Sequence, residues 1–118
     1  MPKIEFYETE NGKNPVKKFL DDLNPATELP YVLRDIANLE KLGNEARRPL
    51  VDSLGKGIYE LRTRIIKKQL RILYFFFYDE KIILSHGIPR KEGAVPQADI
   101  DTALEHKRDY IERHKRKK

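Results

Sequence analysis

From Ile72 to Phe77 the chain reads Ile-Leu-Tyr-Phe-Phe-Phe, apolar or aromatic at both parities. Side chains alternate between the faces of a strand, so a strand built from this stretch has no face that can be left in water. The longer run Leu70–Tyr78, the polar pair Asp79-Glu80 and a second apolar run Lys81–Ile88 then read as an antiparallel hairpin at the centre of a sheet. Any fold open to this chain has to supply two covering layers.

The far end of the hairpin departs from that pattern. With Asp79 and Glu80 as turn residues, Tyr78 pairs with Lys81, Leu73 with His86 and Arg71 with Ile88. Arg71 and His86 then lie diagonally on one face, about 7–8 Å apart, and Arg90 continues their parity. A single charge at a strand end is commonly just solvated, and His86 reads equally well as a neutral histidine hydrogen-bonded to backbone. Convergence of cations from several segments is what separates a site from these readings.

The covering layers are visible elsewhere. Lys3–Glu8 alternates as a short half-buried strand. Asn14-Pro15 is a helix start, with asparagine as cap and proline where a missing N–H costs nothing, and Val16, Phe19, Leu20 and Leu23 follow at helical spacing. Asn24-Pro25 repeats the signal before a stripe of Leu29, Val32, Leu33, Ile36 and Leu39 that ends at Gly43. Residues 44–57 form a connector in which Leu50, Val51 and Leu54 suggest a helical turn or an extended stretch. Ile58–Ile65 alternates, with Glu60, Arg62 and Arg64 on the wet face. A four-residue loop Ile66–Gln69 would pair Arg64 with Arg71 and Arg62 with Leu73, placing Arg62, Arg64, Arg71, His86 and Arg90 on one side. A one-residue slip would separate them. Pro96 precedes a C-terminal helix with Asp99 and Asp101 in its first turn, both read as helix surface.

The expectation is one α+β domain over residues 1–112: a short N-terminal strand, a helical hairpin, an antiparallel sheet of about four strands and a C-terminal helix, followed by a flexible basic tail at 113–118. Residues 1–55 carry net −2 and residues 56–118 net +7, so the positive excess lies wholly with the hairpin half. Clustered cations point to phosphate or another polyanion, although a solubility tail accounts equally well for residues 113–118. There is no cysteine, which excludes disulfides, thiolate zinc sites and cysteine nucleophiles, and the histidines lack close metal spacing with carboxylates. No apolar run approaches the length of a membrane span and no signal-peptide core follows Met1, so a cytoplasmic protein without membrane partners is expected.

Metal-free cleavage of RNA needs a base for the ribose 2′-OH, an acid for the leaving oxygen and cations for the charge gathering on phosphorus. A histidine beside arginines is a workable set, with Arg71, His86 and Arg90 as candidate catalytic residues and Arg62, Arg64, Lys67, Lys68 and Lys91 as candidate RNA-binding residues. Arginines that only bind phosphate would be arranged similarly.

The order of elements, with Tyr59-Glu60-Leu61-Arg62, Leu70–Phe77, His86-Gly87 and Arg90-Lys91, resembles the RelE/HigB toxins of bacterial toxin–antitoxin systems, in particular the phage-derived Gp49-like HigB branch. The resemblance implies a RelE-like fold and a ribosome-dependent mRNA endonuclease needing no cofactor. It also implies neutralisation by a cognate, helix-turn-helix, HigA-like antitoxin. It carries the arginine opening the central strand onto Arg71 and the basic residue after the next strand onto Arg90 or Lys91. Where RelE-like members have alternating lysines this chain has Glu60 and Arg62, and no aromatic follows the basic loop until Tyr110. The same fold includes ParE-like toxins that inhibit DNA gyrase without cutting, and a basic sheet also suits a protein-binding module.

Overall fold

The computed structural model describes residues 2–66, 68–78, 81–89 and 93–115. Its elements are β1 (Lys3–Phe6), α1 (Pro15–Asp21), α2 (Leu29–Leu42), a 3-10 turn at Gly43–Glu45, β2 (Val51–Gly55), β3 (Ile58–Ile65), β4 (Lys68–Phe77), β5 (Lys81–Ile88) and α3 (Gln97–Lys115). The sheet order is β1-β5-β4-β3-β2, so β4, the strand apolar at both parities, is the middle one.

Each face of β4 meets its own layer. Ile72 and Tyr74 join Val16, Phe19, Val32, Ile36 and Leu39 of α1 and α2, whereas Leu73 and Phe75 join Tyr7, Ile83, Ala103 and Tyr110 beneath α3. Helix α1 starts as the sequence predicts: the Asn14 side chain accepts from Lys17 N at 3.0 Å and Pro15 follows it. The second start is delayed. Asn24 turns back on the N–H groups of Ala26 and Thr27, and α2 begins only at Leu29.

The α+β architecture agrees with expectation, but the sheet is mixed and has five strands. β1 pairs in parallel with β5, and the connector supplies β2, antiparallel to β3. Both strands are short, and their pairing is set by where the helices return the chain rather than by local pattern.

Two registers also differ from the expected ones. Between β3 and β4, Ile65 pairs with Lys68, so Arg62 faces Arg71 and Arg64 faces Gln69. This shift of two residues leaves every side chain on its expected face. Between β4 and β5, Phe77 rather than Tyr78 pairs with Lys81. A β-bulge at Ser85 then restores the expected pairs Leu73–His86 and Arg71–Ile88. The bulge turns Ser85 and His86 to the α3 side together. Gly87 thereby falls on the α1 side, where the Phe19 ring lies so close that a Cβ would sit 2.2 Å from Cγ.

Helix α3 runs to Lys115, so residues 113–115 of the expected tail are helical, and Arg113 bonds Asp109 at 2.8 Å and also the Glu8 carbonyl. The remaining tail, 116–118, lies outside the described residues. No helix among the described residues is long and apolar enough to cross a membrane.

Candidate nucleic-acid interface

Arg62 and Arg71 stand directly opposite each other on the α3 side of the sheet. Like charges in that position repel, and the arrangement holds because Glu60, two residues before Arg62 on the same face, lies between them. Its Oε1 is 3.2 Å from Arg62 Nε and 3.2 Å from Arg71 Nε. Asp52, opposite Glu60 on β2, extends the chain: its Oδ2 is 3.1 Å from Arg62 Nη2 and its Oδ1 is 3.1 Å from Arg48 Nε. One alternating line, Arg48–Asp52–Arg62–Glu60–Arg71, therefore crosses three strands.

Its two ends differ in exposure. Arg71 is 4% exposed, and its Nη2 donates to Gln69 Oε1 and to the Gly93 carbonyl of the loop before α3. Its Nη1 is buried with no hydrogen-bond partner among the described residues. Arg48 is largely in solvent. The sequence reading expects an open cationic concavity. The structure holds Arg62 and Arg71 together as expected, but charge-compensated, with Arg71 under cover.

His86 lies on the same face in a second network. Its Nε2 is 3.1 Å from Asp99 Oδ1, its Nδ1 is 2.9 Å from Ser85 Oγ, and Ser85 Oγ is 2.8 Å from His106 Nδ1. Burial lowers the pKa of His86 against the opposing pull of Asp99, and burial with His86 nearby lowers that of His106 to about 4. Both rings are neutral at pH 7, and the partners then assign every proton. A carboxylate requires Nε2–H on His86, so His86 Nδ1 accepts from the Ser85 hydroxyl, and Ser85 Oγ in turn accepts from Nδ1–H of His106. The His106 ring stacks on Tyr7 at 4.1 Å, and Tyr7 donates to Asp109 at 2.6 Å. Both nitrogens of His86 are thus engaged in tying β5 to α3. Asp99, read from sequence as helix surface, is one of those ties.

The other candidates divide. Arg64 shares the face of Arg62 and is exposed, above Gln69. Lys68 pairs with the buried Glu28 at the start of α2, on the opposite side of the sheet from Arg71, and so does not join the set. Lys67, Arg90 and Lys91 lie outside the described residues. Sequence reasoning did not find Asp52, Ser85, Asp99 or His106, nor that Glu60 bridges two arginines. Only the parity of Glu60 with Arg62 carried a signal. Among the described residues no group of three or more His, Asp or Glu is placed to hold a metal ion.

Chemically, the line offers fixed guanidinium donors next to a carboxylate, which suits a phosphate with a neighbouring hydroxyl. Residues 18–108 match the family model for phage-derived protein Gp49-like (DUF891). No curated protein matches the chain.

Proposed function

We propose, since the chain belongs to the phage-derived Gp49-like family of RelE/HigB-like toxins, that it is the toxin of a toxin–antitoxin pair and acts as a metal-independent endonuclease on ribosome-bound mRNA. The observation that supports this reading is Glu60 held between Arg62 and Arg71, with one guanidinium nitrogen of Arg71 unpartnered among the described residues. A phosphate reaches this cluster at Arg62, whose side chain is 25% exposed, with the carboxylate and the Arg71 charge directly behind it.

In this reading Glu60 takes the proton of the ribose 2′-OH, and O2′ attacks the adjacent phosphorus. Arg71 and Arg62 stabilise the added negative charge, the P–O5′ bond breaks, and O5′ is protonated from solvent, leaving a 2′,3′-cyclic phosphate. Arg90 and Lys91 supply further positive charge from the loop. His86, with Asp99 and Ser85, holds the start of α3 against β5. A cognate antitoxin, of helix-turn-helix type, is the partner that restrains the activity.

Purified ribosomes programmed with a message test the reading. Cleavage at the A site, reduced at least about a hundredfold by Arg71→Ala and by Glu60→Gln, is the expected result. An intact message together with inhibition of DNA gyrase would overturn it, as would full cleavage by the Arg71 variant.

A further inference from the structure

On the α2 side of the sheet, beyond the last turn of α2, the covering layer stops before the sheet does. The turn at Gly43–Ala46 and the end of β4 leave between them a groove of about 560 Å³, floored by Tyr59, Tyr74 and Phe76 and bordered by Arg47 and Arg48. The three rings form one surface: Tyr59 stacks on Tyr74 at 5.4 Å, and Phe76 meets both edge-on at 5.4 and 5.8 Å. Tyr74 is buried, whereas Tyr59 and Phe76 are half-buried and present ring surface.

The border is cationic. Arg47 Nη1 donates to the carbonyls of Asn44 and Ala46 and has no carboxylate partner among the described residues, and the Arg48 side chain is 75% exposed. Asp52 joins this border to the site described above, since it binds Arg48 with one oxygen and Arg62 with the other. The groove and the Arg62–Glu60–Arg71 cluster therefore lie on opposite faces of the sheet, joined by one line that rounds its β2 edge. That strand gives little to an added strand, because the N–H groups of Val51, Ser53 and Gly55 are taken by Arg47 O, Asp52 Oδ1 and Ser53 Oγ.

We infer that this groove is a nucleotide subsite for single-stranded RNA, taking one base against Tyr59 and Phe76 and its phosphate between Arg47 and Arg48. The inference rests on the nuclease reading, and it adds where a nucleotide flanking the reacting phosphate is held. Aromatic rings with guanidinium groups at their edge are what a single-stranded nucleic acid binds, because every base has a face to stack and every phosphate a charge to place. The volume lies within the range of about 300–1,000 Å³ found for small-molecule sites. Two exposed arginines with a single carboxylate between them, and a closed strand edge, favour a polyanion over a peptide.

The test uses a 2′-O-methylated hexaribonucleotide, which cannot be cleaved, carrying 2-aminopurine at each position in turn. With the intact protein, fluorescence should be quenched at one position. Tyr59→Leu and Phe76→Leu should abolish that quench and weaken binding about tenfold. Arg48→Ala, at an exposed side chain that does not hold the fold, should lower the slope of log K against log salt by about one. Unchanged quenching in all three variants overturns the subsite, and so does loss of antitoxin binding with RNA binding intact, which would assign the groove to a protein. Arg71→Ala separates the two claims. Binding that falls with Arg71→Ala but ignores the groove variants sinks the subsite alone, whereas binding that falls only with the groove variants sinks the nuclease reading. If the intact protein binds no oligonucleotide the subsite falls, while the nuclease reading stands or falls with the ribosome assay.

Discussion

Acidification tests the proton assignment in the Ser85–His106 network. The His106 pKa is lowered from 6.5 to about 4 because burial and the facing His86 disfavour its charged form against the weaker pull of Asp109. At pH 5 the unfolded chain therefore carries a proton on His106 that the folded chain largely refuses. The unfolded state binds more protons, so stability is complete above pH 6.5 and falls as pH drops towards 4. From pH 8 to pH 5 the loss assigned to His106 alone is about 2 kcal/mol. His86, also lowered, adds in the same direction. Urea denaturation at half-unit steps of pH measures this. In His106→Asn the amide nitrogen can replace Nδ1–H as donor to Ser85 Oγ, while nothing at that position titrates. The variant should begin less stable, through loss of the stack on Tyr7, yet show a shallower pH slope. Equal slopes in the two proteins would refute the assignment, and ring nitrogen shifts reporting Nε2–H on His106 would do so directly.

Gly87→Ala should cost about 1–3 kcal/mol in urea midpoint measurements, because its Cβ would meet the Phe19 ring at 2.2 Å; in Phe19→Leu the same substitution should cost far less, giving strong non-additivity. Glu60→Gln leaves Arg62 and Arg71 facing each other without their carboxylate, and a loss of about 3 kcal/mol is expected. Millimolar sulfate should restore part of it by taking the carboxylate's place, and no response to sulfate would count against an anion site there. Asn14→Ala removes the cap on Lys17 N and should lower stability by about 1 kcal/mol, read from the thermal transition.

The central position of β4 was legible because six residues with no polar parity admit one environment, and α1 was legible because Asn-Pro specifies cap and first turn together. The pairing of Leu73 with His86 came out right through two deviations that cancel: a loop one residue longer than expected and a strand with one residue extra. The faces of Arg62 and Arg71 survived a wrong register because the slip was even. Periodicity has no access to contacts made by elements far apart in sequence. The burial of Arg71 depends on the loop at Gly93, and the engagement of His86 depends on where the first turn of α3 lands. Lys68, expected to face RNA, instead satisfies the buried Glu28 forty residues earlier. β1 was legible from its alternation but its parallel partner was not, and β2 showed no pattern of its own; both pairings depend on where the helices return the chain.

The extra residue at Ser85 sets the phase of everything after it. Were the ladder to run on regularly through it, His86 would pair with Ile72 beneath the ring of Phe19 and Gly87 would face α3, so both histidine contacts and the seat of that ring would be lost in one step. One unpaired residue thus decides which of the two covering layers each later side chain of β5 meets.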